Sequence, residues 1–200
     1  MTRSTAGPTE AGRIVEYGRV VSVHLAPVAG APTYSVAQAR AVAGRGLASD
    51  RNYWAGDGPR RPGRGSGRAS GVCDVTLIEI EALEALARET AIELSPAQCR
   101  RNVVCQGIRL NPLVGTEFRV GGVTLRGLRL SEPCVRLEQL TRPGLVRGLL
   151  HRGGLRAEIV HGGPIHVGDP VGHGGDLTVR APTNPPAPLR RPPRTEEHRP

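Results

Sequence analysis

A cysteine at the end of a predicted β-strand is the residue of this sequence best suited to chemistry. Cys134 follows an alternating apolar run, and Pro133 before it cannot donate a hydrogen bond to a sheet, so the strand should end there. Arg129 and Arg136 flank the cysteine, and guanidinium groups favour the thiolate form of a thiol. Such a thiolate could act as a metal ligand or as a sulfur nucleophile. The alternative is a small buried residue, because free cysteine is often part of a protein core.

Arg101 and Asn102 form a second candidate site, at the predicted junction of a short helix and an apolar strand. The helix should begin at Ser95-Pro96, where an N-cap residue precedes proline. Arginine offers a planar fork for phosphate or carboxylate, and asparagine offers a donor and an acceptor for the edge of a ring. An interior ion pair would explain Arg101 equally well, so the spacing leaves both interpretations open.

Two other groups of polar residues are weaker candidates. Arg51 follows Asp50 in a loop after Gly46, where the backbone could pass close to a ligand, although a plain turn explains the same pattern. His161 and His166 are separated by a Gly-Pro turn, and no third ligand at a suitable spacing accompanies them. The sequence therefore favours no metal role for the two histidines.

The elements that must position these residues are mostly strands. Alternating apolar residues predict a first strand at 19–25, a hairpin at 116–126 and a strand at 155–160, before a closing strand that ends near Val171. The Gly121-Gly122 loop of the hairpin fits a primed turn.

One amphipathic helix is predicted between the first strand and the hairpin. It should begin at Val75 and run to about Glu89, with Thr76 and Glu79 as a capping box and leucines at helical spacing on one face.

The net charge of +9 does not indicate a nucleic-acid-binding protein. Two segments rich in proline, glycine and arginine, 55–72 and 180–200, contribute six of the nine positive charges, and no aromatic residues for stacking on bases are interleaved with them. We therefore expect weak, salt-sensitive contact with nucleic acid and no specific recognition.

The chain reads as one soluble domain with two tails. Residues 1–17 predict a flexible leader, 18–172 the folded domain with a mobile Gly/Arg loop at 55–71, and 173–200 a disordered Pro/Arg-rich tail. There is no signal-peptide pattern and no apolar run of the ~20 residues needed for a membrane span. We therefore expect a cytoplasmic protein without membrane contact, with reduced cysteines.

Six sequence pieces, taken in their order along the chain, resemble the MOSC domain, named for the C-terminal domain of molybdenum cofactor sulfurase. The resemblance covers roughly residues 18–172. The pieces are the Gly46…Asp50-Arg51-Asn52-Tyr53 loop, Val75-Thr76-Leu77-Ile78, Arg101-Asn102-Val103-Val104, the run from Leu113 to Gly121, Glu132-Pro133-Cys134, and the run from Gly162 to Asp169.

The resemblance implies a fold and a cofactor site. The fold would be mostly β with peripheral helices (α+β), a mixed β-barrel forming a single domain. Its cleft would hold the pyranopterin form of the molybdenum cofactor, with Cys134 as a molybdenum ligand or a persulfide-forming sulfur. Arg101 and Asn102 would lie near the pterin and its phosphate, and Arg51 would be a further anion contact. Although the family is associated with pyridoxal phosphate enzymes, no domain that would bind that cofactor is present in this sequence.

Three functions follow as expectations. The first is a molybdenum-dependent enzyme that reduces small N-hydroxylated compounds, with electrons from a separate donor because no flavin or iron–sulfur motif is found. The second is a sulfur carrier, in which Cys134 receives sulfane sulfur as a persulfide from a cysteine desulfurase. The third is a cofactor-binding or interaction module without turnover. Whether the protein is an enzyme is left open by the sequence.

Overall fold

The structure is a computed structural model that describes residues 17–53 and 74–173. Most of the leader, most of the tail and the whole of the 55–71 loop lie outside these residues. In chain order the elements of the described residues are β1 (Tyr17–Leu25), β2 (Tyr34–Val36), β3 (Gln38–Val42), β4 (Gly46–Leu47), β5 (Val75–Glu79), α1 (Ile80–Thr90), β6 (Val103–Gln106), a 3₁₀ turn (Asn111–Leu113), β7 (Glu117–Val120), β8 (Val123–Leu130), α2 (Val135–Gln139), α3 (Leu145–Gly148), β9 (Leu155–His161), β10 (Gly163–His166) and β11 (Pro170–Gly172).

Seven strands form a closed barrel. They are hydrogen-bonded in the order β11, β7, β8, β9, β5, β6 and β1, and β11 also pairs with β1, which closes the sheet on itself. Strands β5 and β6 run parallel, which requires a long crossover, and α1 lies in that crossover. The predicted fold, a mixed barrel with peripheral helices in a single domain, is confirmed.

Two hydrophobic clusters pack on opposite sides of the barrel wall. Leu77 and Val103 point inward, together with the buried ring of Phe118. The next residues along the same strands, Ile78 and Val104, point outward, as the alternation of side chains along a strand requires. The helices, and the residue directly after α3, contribute further members of this outer cluster: Ala82, Leu83, Leu86, Leu137, Leu145 and Leu149.

The predicted hairpin is confirmed as β7 and β8. Val120 lies opposite Val123, and the φ of 56° at Gly121 suits a primed two-residue turn. The segment that follows the turn continues as a strand to Leu130.

The predicted start of the first helix is wrong. Val75–Glu79 is strand β5, and α1 begins only at Ile80. Glu79 makes no capping hydrogen bond with its side chain, and its Oε1 accepts the backbone N–H of Leu110. A buried position between β6 and β9 favours the strand, because apolar residues there pack on both faces of the sheet. The short helix predicted at Ser95-Pro96 is a series of turns.

None of the helices in residues 17–53 and 74–173 has the length and apolar character needed to cross a membrane.

Candidate functional site

Cys134 lies at the start of α2, where the chain has left β8. Its backbone is extended, with φ −129° and ψ 159°, and its carbonyl accepts hydrogen bonds from the N–H groups of Leu137 (2.9 Å) and Glu138 (3.2 Å). Cys134 is exposed, whereas Pro133 before it is buried. The thiol is therefore accessible while the backbone on both sides is anchored.

Arg101 holds the segment that precedes Cys134. The residue is 9% exposed; its Nε donates to the carbonyl of Gly153 (2.8 Å), and its Nη2 donates to the carbonyl of Ser131 (2.7 Å). Hydrogen bonds from a charged donor are stronger than neutral ones, so Arg101 ties the end of β8 firmly to the turn before β9. Contact between Arg101 and a cofactor stays a prediction, and the structure gives this side chain a positioning role.

The approach of these two segments requires glycine at position 153. A Cβ at Gly153 would lie 2.5 Å from the carbonyl oxygen of Ser131 and 2.9 Å from Cδ of Pro133. The Ser131 hydroxyl is buried and has no hydrogen-bond partner among the described residues. An unpaired buried hydroxyl costs about 1–3 kcal/mol, so this group, three residues before Cys134, would gain from a ligand or a water molecule.

Both polar atoms of the Asn102 side chain are hydrogen-bonded inside the protein. Its Oδ1 accepts hydrogen bonds from the backbone N–H (3.1 Å) and the hydroxyl (2.8 Å) of Thr76. Its Nδ2 donates to the carbonyl of His24 (3.2 Å) and to Oδ1 of Asp50 (3.3 Å). Asn102 therefore joins β1, β5 and the loop that carries Arg51, and its contact with a pterin ring stays a prediction.

Asp50 fixes the loop of Arg51 against the end of β1. Its carboxylate accepts the backbone N–H groups of Ala26 and Asn52, both at 3.0 Å, and the N–H of Arg51 donates to the carbonyl of Ala26 (2.7 Å). The backbone of Arg51 is thus held in place. Its guanidinium makes no hydrogen bond or ion pair within the described part of the chain.

Three arginines, which we call the arginine cluster, are close enough for their charges to act on one another: Arg51, Arg100 and Arg136. Burial lowers the pKa of the Arg100 guanidinium, and the charges of Arg51 and Arg136 lower it further, whereas Asp50 raises it. Nη2 of Arg136 lies 3.4 Å from the position that a Cβ would take on Gly30. Within the described residues no member of the cluster forms an ion pair. Like charges held together in this way make a favourable place for an anion.

Arg100 is the strained member of the arginine cluster. Its φ of 58° is left-handed, a conformation that costs a residue other than glycine about 1–2 kcal/mol. Its Nη1 donates to the carbonyl of Ala31 (2.7 Å). Sequence reasoning missed Arg100, and it treated Arg136 only as a neighbour of Cys134. No local pattern identifies the cluster, because its members lie in three separate segments of the chain.

Two other cysteines are buried and unsuited to reaction. Burial raises the pKa of the Cys99 thiol to about 11, against the opposing effect of the N–H and charge of Arg101, and burial also raises the pKa of Cys105. Cys73 lies outside the described residues. Within residues 17–53 and 74–173, the accessible thiol is therefore that of Cys134.

The two histidines considered from the sequence lie on strands away from Cys134. His161 ends β9 and His166 ends β10, where the carboxylate of Asp169 accepts the backbone N–H of His166 (2.8 Å). The described residues contain no group of three or more His, Cys, Asp or Glu side chains that could hold a metal ion.

Two separate sets of hydrogen bonds thus position the four residues expected at the site. Arg101 positions the segment of Cys134, and Asn102 positions the loop of Arg51. The structure adds Arg100 and Arg136 beside Arg51.

The comparisons with known proteins give a family and a fold. Residues 68–172 match the MOSC domain. Among solved structures, the chain is similar to the YUAD protein from Bacillus subtilis, with 18% identity, 79% of this chain and 96% of that chain covered, and a TM-score of 0.65. It is also similar to YiiM from Escherichia coli, with 15% identity, 82% and 73% covered, and a TM-score of 0.54. No curated protein matches the sequence.

At these identities the structural likeness shows the shared fold alone. The sequence match spans more than half of the chain, and the closed barrel agrees with it. On these grounds the chain belongs to the MOSC domain family.

Proposed function

We propose that this protein binds the molybdenum cofactor, with Cys134 as the sulfur ligand to molybdenum, and that it reduces N-hydroxylated compounds. The observation that carries the proposal is an accessible thiol near a set of arginines that form no ion pair within residues 17–53 and 74–173. Cys134 directly precedes α2, and Arg136 in that helix belongs to the arginine cluster.

The residues present fit the group. A thiolate is a soft ligand suited to a metal that already carries sulfur donors, and a single protein thiolate is enough for a cofactor that brings other donor atoms. The cofactor also carries a phosphate, for which Arg51 and Arg136 offer guanidinium groups with no ion-pair partner in the described residues. The unpaired Ser131 hydroxyl is a further polar group close to the cysteine.

The chain's own residues would bind and orient. Arg101 holds the carbonyls of Ser131 and Gly153, so that the thiol of Cys134 is presented from a fixed backbone. Asn102 and Asp50 hold the loop from which Arg51 reaches an anion. When bound, the molybdenum centre would supply the two-electron reduction of an N–O bond, with electrons from a separate donor protein.

The test is the molybdenum and pterin content of the protein purified from a molybdenum-replete host. We expect near-stoichiometric molybdenum with fluorescent oxidised pterin in the wild type, and a loss of at least tenfold in Cys134→Ala. Val135→Ala is the matched control, because it alters the next residue, which is also exposed, and should retain the metal. Reductase activity of Cys134→Ser at the wild-type level would contradict the assignment.

The same accessible thiol supports a second function, a sulfur carrier. A protein without molybdenum that gains the mass of one sulfur atom on Cys134, after incubation with a cysteine desulfurase and cysteine, would replace the first proposal with the second. The Val135→Ala control should gain the same mass, and Cys134→Ala should not.

A further inference from the structure

A cavity of about 330 Å³ lies beside the arginine cluster. Its walls come from the connection between β1 and β2, the turns before β6 and the chain at the end of α2. Pockets for small ligands begin at about 300 Å³, so this one suits a molecule of one or two rings with a short substituent.

The cavity combines apolar walls with a cation. Pro32, Ala97 and Leu140 provide apolar surface, and Arg100 and Gln98 provide N–H donors. One nitrogen of Arg100 donates to a backbone carbonyl, which leaves further N–H groups on its guanidinium.

The other polar side chains that line the cavity already make some of their hydrogen bonds within the protein. Gln98 accepts the N–H of Ser95 through Oε1, which leaves its amide nitrogen as a donor. The hydroxyls of Thr33 and Thr141 donate to the carbonyls of Ala97 and Leu137, so that toward a ligand they can only accept.

The electrostatic field at Arg100 favours a negative ligand. Arg51 and Arg136 place two more positive charges near it, and the carboxylate of Asp50, the acidic group that acts on it among the described residues, already accepts hydrogen bonds from Ala26 and Asn52. An anion bound at Arg100 would therefore relieve the repulsion among the guanidinium groups.

We propose that this cavity is a binding site for a small organic acid, whose carboxylate is held by Arg100 and Gln98 and whose apolar body packs against Pro32, Ala97 and Leu140. The phosphate of a cofactor is a separate ligand, held by Arg51 and Arg136.

The site and Cys134 lie at opposite ends of the short helix α2. Helix α2 starts directly after Cys134 and ends next to Leu140, and five helical residues span about 8 Å. The acid is thus the recognition group of the substrate, and the substrates are N-hydroxylated compounds that also carry a carboxylate. This last step rests on the proposed function, whereas the binding of an acid does not.

Isothermal titration of the full-length chain tests the binding site. The probe is benzoate, benzamide is its neutral isostere, and inorganic phosphate is the simple anion. We expect benzoate to bind at least tenfold more tightly than benzamide, and saturating inorganic phosphate to leave most benzoate binding intact.

The variants locate the site. Arg100→Gln should weaken benzoate at least tenfold, and Arg100→Lys should retain part of the affinity because the charge remains. Arg40→Gln, at an exposed position on β3 outside the cavity, is the matched control and should bind as the wild type does. Arg100→Gly removes the arginine but fits the left-handed backbone without strain, so it should remain folded. Loss of benzoate binding in this variant therefore reports on the side chain and not on misfolding.

Three results would overturn the proposal. These are equal affinity for benzoate and benzamide, full displacement of benzoate by inorganic phosphate, or unchanged benzoate binding in Arg100→Gln. The test also separates the two proposals, because Cys134→Ala should lose molybdenum yet bind benzoate normally. If the protein binds benzoate but never contains molybdenum, the lack of molybdenum refutes the proposed function, while the benzoate binding still supports the acid site.

Discussion

Asn102 illustrates how one buried amide can connect three parts of a barrel. Its Oδ1 holds Thr76 on β5, and its Nδ2 holds the carbonyl of His24 on β1 and the carboxylate of Asp50. Both Oδ1 and Nδ2 are hydrogen-bonded to other protein atoms. A side chain of the same shape but different polarity would therefore break hydrogen bonds and lower the stability of the fold.

Asn102→Asp should therefore be strongly destabilising. The substitution replaces an N–H₂ donor with a carboxylate oxygen that faces the carboxylate of Asp50 and a carbonyl. Breaking a buried polar network in this way costs about 3–5 kcal/mol of the free energy of unfolding at pH 7. Urea denaturation measures the loss, which should shrink at pH 4 as the new carboxylate is protonated.

Asn111→Asp is the control for this substitution. Asn111 is exposed, and within the described part of the chain its side chain makes one hydrogen bond, to the carbonyl of His151 (2.8 Å). A difference between Asn102→Asp and Asn111→Asp of less than about 0.5 kcal/mol, the usual limit for surface changes, would mean that the amide of Asn102 is not the connection described here.

At the residue scale, the sequence predicted the position of Cys134 in the chain but not the hydrogen-bond partners of Arg101 and Asn102. Cys134 could be predicted to lie near a strand end because proline ends a strand. The partners of Asn102 could not be predicted, because Asp50 and Thr76 reach it only when the barrel closes. For the same reason, Arg100 stood out in no local pattern.

At the scale of elements, the Gly153-Gly154 turn decides where the end of β8 can lie. Gly154 has a left-handed φ of 101°, and Gly153 lets the turn lie against Ser131 and Pro133. Together with Arg101, this turn fixes the backbone from which Cys134 projects.

Gly153→Ala should displace that backbone. The added Cβ would overlap the carbonyl oxygen of Ser131 and the ring of Pro133, and overpacking of this kind costs about 1–3 kcal/mol. We expect a lower unfolding midpoint and a changed rate of Cys134 alkylation in the folded protein. Gly122→Ala, where nothing lies within 4 Å of the added Cβ, should leave both unchanged. Equal behaviour of the two variants would show that the turn does not position the thiol.

The elements that the sequence predicted best are those with local causes. The β7–β8 hairpin depends on a two-residue glycine turn between alternating apolar runs, and both features are adjacent in sequence. The start of α1 was placed too early because Thr76 and Glu79 have the spacing of a capping box. Barrel contacts with β6 and β9 hold that segment as a strand.

For the whole molecule, buried titratable groups set a pH window of stability. Burial lowers the pKa of His24, whose ring nitrogens contact the hydroxyls of Ser22 and Ser35, below its ordinary 6.5. Burial raises the pKa of Cys99 from 9.0 to about 11, and that of Cys105 as well. Folding therefore disfavours protonation of the histidine and ionisation of the thiols.

Stability should be greatest between about pH 6.5 and 9 and should fall on both sides. Below 6.5 the unfolded chain binds a proton that folded His24 resists, so stability decreases toward its lowered pKa. Above 9 the unfolded chain loses protons that the buried thiols keep, so stability decreases through about pH 11. Each such group contributes a slope of at most about 1.4 kcal/mol per pH unit.

Urea denaturation from pH 5 to pH 11 measures the two slopes. The acid slope should be smaller in His24→Gln, and the alkaline slope should be smaller in Cys99→Ala. Slopes that are the same in both variants as in the wild type would assign the pH dependence to other groups.

The barrel as a whole was predictable from the order of its motifs, although no single piece was specific. The pairing register that closes it could not be predicted, since β11 has only three residues and pairs with β1, which is far from it in the sequence. Tyr17 lies opposite Gly172 in that antiparallel pair, so the first and last strands of the described residues lie side by side. A force that pulls Tyr17 and Gly172 apart would consequently separate β1 from β11 one pair of residues at a time. The domain should therefore unfold at a lower force than a barrel whose first and last strands are sheared along their length.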